Sequence, residues 1–140
     1  MFEDHVAVAM FLQQQVAELM IYSPCNFVDS KFADVGGGDW KTNPGRSANY
    51  YHSLFSKKVG RNTLEEIALA CQLGAVLDGT NFGFHARNDV VASLATHMIA
   101  FTWSNSGSPD DGGSRYTWQR SPLDPSLKVH ICLKHVLHSC

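Results

Sequence analysis

The spacing of apolar residues over residues 2–22 predicts an N-terminal amphipathic helix. Val6, Met10 and Met20 fall near one face when the chain is wound at about 3.6 residues per turn. The segment contains no Gly or Pro, and Pro24 follows it as a helix-ending residue. Because its start is acidic and then apolar, we also expect this helix to dock onto a protein partner.

A second helix is predicted over residues 47–59, with Ser47 as its N-cap. Apolar side chains recur in this segment at helical spacing, and Tyr51, Leu54 and Phe55 are expected to face the core.

The start of a third helix is marked by capping chemistry. Asn62 or Thr63 is the expected N-cap, and Glu65 and Glu66 follow in the first turn, where the helix dipole favours negative charge. Gly79 is the expected end of this helix.

A fourth helix is predicted over residues 87–100, before a stretch of β-forming residues at 99–103. The apolar positions along one side of this helix are Val90, Val91, Leu94 and Met98.

Two aromatic tetrapeptides, residues 101–104 and 116–119, flank a turn-forming tract at residues 105–114. Residues that favour strands on both sides of Ser, Gly, Pro and Asp predict an antiparallel hairpin. Because side chains alternate along a strand, we expect four rings on one face of this aromatic ribbon. They are Phe101, Trp103, Tyr116 and Trp118. The rings form either part of the core or a surface for ligand or partner contact.

Residues 127–134 alternate between apolar and polar positions, which predicts a half-buried strand. A helix also fits, with Val129, Cys132 and Val136 on one stripe, but the density of β-branched residues favours the strand. The predicted fold is therefore α+β: a helical N-terminal two-thirds packed on a short C-terminal antiparallel meander. An all-α fold is the alternative.

The composition is that of a soluble single domain over residues 1–140. Hydrophobic residues make up 44% and charged residues 17%, with a net charge of −2. The chain has no basic run for duplex nucleic acid and no apolar run of about 20 residues for a membrane span. Glu3 and Asp4 stand where a signal peptide is basic, so we expect an intracellular protein, or a secreted one if a signal has been removed.

The cysteines are widely separated and form no Cys-X-X-Cys pair, so free thiols are expected. They are Cys25, Cys71, Cys132 and Cys140.

A nucleophilic site could be assembled from Cys25, an imidazole and a carboxylate. A cysteine nucleophile needs a neighbouring imidazole to lower the pKa of its thiol, and a third group to orient that imidazole. His97 or His85 would supply the imidazole, and Asp110 or Asp111 the carboxylate.

The C-terminal segment contains residue types that bind zinc, namely His130, Cys132 and His135. On a strand, His130 and Cys132 project to the same side. The segment lacks the Cys-X2–4-Cys pair of the known structural zinc sites, so we expect no cofactor, with zinc as the alternative.

The segment Asp34-Val35-Gly36-Gly37-Gly38-Asp39-Trp40 resembles part of the glycine-rich loop of class I methyltransferases. It departs from that pattern because Trp40 stands in place of the third glycine, and Asn43-Pro44-Gly45 should block the helix that would follow. We interpret the segment as a glycine turn anchored by its flanking aromatic residues.

The pattern as a whole favours a non-catalytic interaction or assembly module. This module would be a subunit of a larger complex or a homo-oligomer, and it would use the first helix and the aromatic ribbon. The alternative is a small Cys/His-dependent hydrolase or transferase with its site near Gly36 to Gly38.

Overall fold

The computed structural model describes residue 10, residues 18–110 and residues 112–134. The chain divides into two compact units, Met1–Phe84 and His85–Cys140. Helices and short strands are both present, so the fold is mixed α/β and the all-α alternative is wrong. The prediction of one domain over residues 1–140 is not tested by this division and stays a prediction.

The first unit contains strands as well as helices. In chain order the described elements are β1 (Met20–Tyr22), β2 (Phe27–Val28), β3 (Lys31–Phe32), α1 (Pro44–Val59), α2 (Thr63–Gln72) and β4 (Val76–Asp78). Strands β1 and β4 pair in parallel, and β2 and β3 form an antiparallel hairpin. The prediction of a helical N-terminal two-thirds is therefore wrong, because strands lie between the helices in this part of the chain.

The predicted first helix ends before residue 20, because β1 pairs with β4 from Met20 to Tyr22. Met10 has helical backbone, but residues 1–9 and 11–17 lie outside the described residues, so the rest of this helix stays a prediction. An apolar residue at position 20 fits the helical pattern, but it also fits a short strand. This ambiguity explains why the helix was predicted to continue to residue 22.

Helix α1 begins three residues before the predicted cap. Asn43 caps it by accepting a hydrogen bond from the Arg46 N–H, and Pro44 occupies the first turn, where its missing N–H costs nothing. The Asn43-Pro44-Gly45 sequence therefore starts this helix rather than blocking it. Gly60 ends it in the left-handed conformation, with φ of 72°.

Helix α2 begins where the sequence predicts. The Asn62 side chain accepts hydrogen bonds from the N–H groups of Leu64 and Glu65, and the two glutamates lie in the first turn. The helix stops at Gln72 rather than at Gly79, because the chain enters β4 first.

The core of the first unit lies where the β2–β3 hairpin and the two helices meet. Its buried apolar members are Cys25, Phe32, Ala48 and Ile67. A buried polar group is included: His52 on α1 lies with its Nδ1 3.0 Å from Oγ1 of Thr63 on α2. Because both groups are nearly inaccessible to water, this bond satisfies them and ties α1 to α2.

The second unit is built around another parallel pair of strands. Its described elements are α3 (Phe84–Leu94, whose first residue belongs to the first unit), β5 (Met98–Thr102), α4 (Gly112–Arg120), a 3-10 helix (Pro125–Leu127) and β6 (Lys128–Cys132). The register runs from Met98 opposite Lys128 to Thr102 opposite Cys132.

The predicted C-terminal antiparallel meander and its aromatic ribbon are wrong. Tyr116 and Trp118 lie on helix α4, and the strand that pairs with β5 is β6, in parallel. Parallel strands need a crossover of about a dozen residues or more, which α4 helps to supply here. This connection overrides the β-propensity of the aromatic residues in α4. The strand predicted after residue 127 is confirmed over Lys128–Cys132.

Candidate functional site

The glycine-rich loop before α1 is organised by one buried side chain, Asn43, which is only 1% exposed. Its Nδ2 donates to Asp34 Oδ1 at 2.6 Å and to the Gly37 carbonyl at 2.9 Å. Its Oδ1 accepts from the Val35 N–H at 3.2 Å. These bonds hold the pKa of Asp34 below its ordinary value, with the Asn43 amide as the main cause and the Gly36 N–H as the second. The hydrogen bonds of the Asn43 side chain therefore hold the loop in one conformation.

Two glycines allow backbone segments to touch beside this loop. A Cβ on Gly45 would overlap the Ala33 carbonyl, and a Cβ on Gly79 would overlap the carbonyl of Cys25. Gly79 follows β4 and Cys25 follows β1, so the chain is close-packed at the carboxyl end of this strand pair. The tight contact explains why glycine stands at residue 79, which the sequence reading had taken for a helix end.

Cys25, the predicted nucleophile, is 2% exposed within the core of the first unit. Burial raises the pKa of its thiol, and Sγ lies 3.9 Å from the Ala33 carbonyl, which can accept its proton in a hydrogen bond. The group is therefore a protonated thiol at neutral pH, whereas a nucleophilic cysteine needs its thiolate.

The outward face of α1 carries three large side chains. Tyr50 is 60% exposed, Tyr51 49% and Leu54 39%, and the two tyrosine rings lie 5.8 Å apart. Tyr51 and Leu54 were predicted to face the core, so that prediction is wrong. The buried face is formed by small or polar residues: Pro44, Gly45, Ala48 and His52. Because those residues are smaller or more polar than Tyr51 and Leu54, the pattern of large apolar side chains selected the wrong face.

A hydroxyl–imidazole pair lies at the carboxyl end of the β5–β6 pair. Thr102 Oγ1, on the last residue of β5, is 2.7 Å from Nε2 of His130 on β6. The other ring nitrogen, Nδ1, is 2.9 Å from the Ser106 carbonyl. Because a carbonyl can only accept, Nδ1 must carry a proton, and in the neutral ring Nε2 then accepts the Thr102 hydroxyl proton.

The loop after β5 is closed by its own serines, an arrangement hereafter called the serine loop (residues 104–108). Ser104, which is 8% exposed, donates its N–H to Thr102 Oγ1 at 3.1 Å. The Ser104 and Ser106 hydroxyls are 2.8 Å apart, and Ser106 Oγ donates to the Ser108 carbonyl at 2.6 Å. These bonds fix the Ser106 carbonyl that orients His130.

The four rings predicted to share one ribbon face are distributed over β5, the following loop and α4. Phe101 is half-buried on β5, and Trp103 is exposed directly after it. Trp118 lies edge-on to the His130 ring at 6.4 Å, while Lys128 donates to the Trp118 carbonyl at 2.8 Å. Trp118 therefore belongs to the surroundings of the hydroxyl–imidazole pair.

The fourth ring, Tyr116, joins helices α3 and α4 at their surface. It stacks on His85 with centroids 4.3 Å apart and donates its hydroxyl to Asp89 at 2.9 Å. Arg120 donates to the same hydroxyl at 3.0 Å and pairs with Asp89. This contact joins the two helices, and the role of Tyr116 in ligand or partner contact stays a prediction.

The remaining predicted site residues are placed as follows. His97 is exposed, with Nδ1 3.3 Å from Oγ1 of its neighbour Thr96. Asp110 is exposed in the second unit, whereas Cys25 belongs to the first. The catalytic use of these residues stays a prediction.

The predicted zinc ligands His130 and Cys132 both lie on β6, and His135 lies outside the described residues. Both ring nitrogens of His130 already have hydrogen-bond partners. Among the described residues, no group of three or more His, Cys, Asp or Glu side chains could hold a metal ion.

Sequence reasoning missed Thr102, the serine loop and the organising role of Asn43. A usable signal for Thr102 was present: a polar residue that ends a strand and is followed, after Trp103, by Ser-Asn-Ser-Gly-Ser. Polar side chains at the carboxyl ends of parallel strands are common ligand-binding positions, but this inference requires the strands to be parallel.

The chain is similar to a viral protein over most of its length. No protein-family model matches the chain, and no solved structure matches it. An uncharacterized protein of Acanthamoeba polyphaga mimivirus is 29% identical over 135 residues, which are 93% of this chain. The match spans 66% of the viral protein, just under two thirds of its length. Among the described residues, no helix is long and apolar enough to cross a membrane.

Proposed function

We propose that the chain is a protein-interaction module, a subunit of a larger assembly, and that its partner binds the outward face of α1, which has no catalytic role. The supporting observation is the exposure of Tyr50, Tyr51 and Leu54 side by side on one helix face. A helix face that points to water is normally polar. Tyrosine is among the residues that contribute most to binding energy in protein interfaces.

The positive charge of α1 indicates the chemical character of the partner. The helix contains Arg46, Lys57 and Lys58 but no Asp or Glu. Basic side chains beside the exposed rings favour a protein segment that combines apolar and acidic residues. The occupant of this face is therefore an acidic, apolar segment of another protein, and a second copy of the chain is an alternative outcome of the test.

Peptide display provides a defined probe. A library of random peptides of about 16 residues, long enough for roughly four helical turns, is selected on the full chain. We expect enrichment of Leu or Phe together with Asp or Glu. The Tyr50→Ser/Tyr51→Ser double variant should bind the selected peptides at least about tenfold more weakly, because loss of each interface anchor costs roughly 1 kcal/mol or more.

The matched control is Val28→Ser/Val35→Ser, which removes two exposed apolar side chains from other parts of the same unit. This variant should retain the affinity of the unmodified chain. Equal binding of the selected peptides to both double variants would contradict the proposal. Light scattering of the full chain detects the alternative in which a second copy occupies the face.

A Cys25-dependent hydrolase or transferase remains the alternative. The burial of Cys25 and the raised pKa of its thiol weigh against it. Thiol labelling of the native chain at neutral pH tests it directly, since a catalytic thiolate would react faster than the thiols of Cys71 and Cys132.

A further inference from the structure

We propose that Thr102 and His130 form a nucleophile–base pair for acyl transfer, with a carboxylic ester as the substrate class. This activity is separate from the proposed binding face on α1, because it resides in the second unit. Its basis is the geometry of three groups: a hydroxyl, an imidazole and the carbonyl that orients the imidazole.

The distances meet the geometric requirement for an activated hydroxyl. The base lies 2.7 Å from Thr102 Oγ1, and the Ser106 carbonyl holds the opposite ring nitrogen at 2.9 Å. Nucleophile–base pairs operate at about 2.6–3.2 Å with the base oriented by a third group. A carbonyl in this third position fixes the tautomer as a carboxylate does, and it leaves Nε2 free to accept the proton.

The environment of Thr102 also suits the transfer of its hydroxyl proton to His130. The Ser104 N–H donates to Thr102 Oγ1 at 3.1 Å, so negative charge on this oxygen has a fixed donor. Thr102 is 9% exposed, which keeps most bulk water away from the oxygen. The pair lies at the carboxyl end of two parallel strands, where mixed α/β folds bind their ligands.

The side chains nearby favour a neutral acyl group over a phosphoryl group. Lys128, the lysine of β6, donates to the carbonyls of Trp118 and Ser121 at 2.8 and 3.2 Å, so its ammonium group is already engaged. The Trp118 ring lies in a T-shaped arrangement with the His130 ring, with centroids 6.4 Å apart, and supplies an apolar surface. An ester carbonyl needs no cation to bind, whereas a phosphoryl group usually does.

The chemical step is balanced without a cofactor. Thr102 Oγ1 attacks the ester carbonyl carbon as its proton passes to Nε2 of His130. The carbon–oxygen bond to the leaving alcohol then breaks, and the alkoxide takes the proton from Nε2. The acyl group remains on Thr102 until water attacks it, giving its proton to Nε2, and the released Thr102 oxygen recovers that proton.

Covalent labelling tests this assignment. The full chain is treated with an alkyl fluorophosphonate, which forms an O–P bond with an activated hydroxyl and releases fluoride, and the adduct is mapped by peptide mass spectrometry. We expect one adduct, on Thr102. Thr102→Ser should still react, whereas His130→Ala should react about 100-fold more slowly, because general-base assistance contributes about that much or more.

Two comparisons separate catalysis from a structural role. Added imidazole should partly restore labelling of His130→Ala, because the small base can fill the space left by the ring. Thr96→Ala is the matched control: Thr96 also lies near an imidazole, at 3.3 Å from His97, but that pair is exposed. This variant should be labelled at the normal rate.

Several outcomes would overturn the proposal. They are no adduct on the unmodified chain, adducts only on hydroxyls other than Thr102, or equal labelling rates for His130→Ala and the unmodified chain. If His130→Ala fails to fold, the mapped adduct on the unmodified chain and on Thr102→Ser decides the matter. Hydrolysis of p-nitrophenyl acetate by the same variants then shows whether the acyl group turns over.

Discussion

The two parallel strand pairs carry very different structures at their carboxyl ends. After β1 and β4, the chain is close-packed around Cys25 and Gly79, and Cys25 is a buried, protonated thiol. After β5 and β6, hydroxyls and an imidazole are joined by hydrogen bonds, with Thr102 and His130 at their centre. The same local arrangement of strands therefore supports packing in one unit and polar chemistry in the other.

This difference shows that strand topology locates a candidate site but does not make it functional. What distinguishes the second pair is the residue that ends its strand and the loop that follows. Thr102 supplies an oxygen that can be activated, and the serine loop supplies the carbonyl that orients the base. The first pair instead places the backbone of residue 79 where side chains or a ligand would otherwise lie.

The largest expected effect is that of Gly79→Ala, which tests the close packing of the first pair. The new Cβ would overlap the Cys25 carbonyl and lie 2.8 Å from the Asn26 nitrogen, so backbone atoms must move. We expect a loss of about 3 kcal/mol in the free energy of unfolding, the upper end of typical overpacking costs. Urea unfolding measures it, and hydrogen exchange should locate the loss in the first unit.

Gly113→Ala in α4 is the matched change in the second unit. Its Cβ would lie 3.2 Å from Nδ2 of Asn88, a side-chain atom that can shift. The helix gains up to about 1 kcal/mol when alanine replaces glycine, so the net change should be within about 1 kcal/mol. Equal losses for the two variants would show that the carboxyl end of the first pair is no more tightly packed than the contact between α3 and α4 in the second unit.

The second prediction compares a buried helix cap with an exposed one. Asn43→Ala removes the α1 cap and, with it, the buried amide that joins Asp34, Val35 and Gly37, which should cost about 2 kcal/mol in the free energy of unfolding. Asp124→Ala removes the cap of the exposed 3-10 helix in the second unit. At that cap the Asp124 side chain accepts a hydrogen bond from the Ser126 N–H, so less should be lost. Thermal unfolding of both variants should show the larger fall in melting temperature for Asn43→Ala, and the reverse order would contradict the reading of Asn43 as the loop organiser.

Local capping chemistry could be predicted from the sequence, whereas the pairing of distant segments could not. Asn62 and the two glutamates identified the start of α2, because their contacts lie within one turn. The strand over Lys128–Cys132 was recognisable from its alternation. Its direction relative to β5 was not, because the alternating pattern is the same for parallel and antiparallel partners.

Only some residues of the candidate site could be predicted from the sequence, for the same reason. His130 and Trp118 were named from their residue types, but for zinc binding and for an aromatic ribbon rather than for a site with Thr102. A threonine that ends a strand has no distinguishing signature until the register places it near His130, 28 residues later in the chain. On α1, the apolar pattern even selected the outer face as the core, because the buried face is made of Pro, Gly, Ala and His.

The smallest expected effect concerns stability at acidic pH. It compares Asp34, whose carboxylate is hydrogen-bonded to a residue distant in sequence, with Asp124, whose carboxylate is hydrogen-bonded to a near neighbour. The pKa of Asp34 is lowered mainly by the amide of Asn43, nine residues away, so this shift requires the folded loop. The pKa of Asp124 is lowered by Ser126, two residues away, and that contact can persist in the unfolded chain. A lowered folded-state pKa stabilises the fold above the ordinary aspartate pKa of about 3.9, and the contribution is lost as the pH falls through the folded-state value.

Asp34→Asn should therefore flatten the decline in the free energy of unfolding below about pH 4 more than Asp124→Asn does. Urea unfolding at a series of pH values from neutral to about 3 measures both slopes, at low salt so that the charge of Arg46 near Asp34 is not screened. Equal slopes for the two variants would mean that the Asp34–Asn43 bond is not specific to the folded state. The glycine-rich loop would then be no better ordered than the exposed turn at Asp124, and the contrast between the rigid first pair and the polar second pair would have to rest on Gly79 alone.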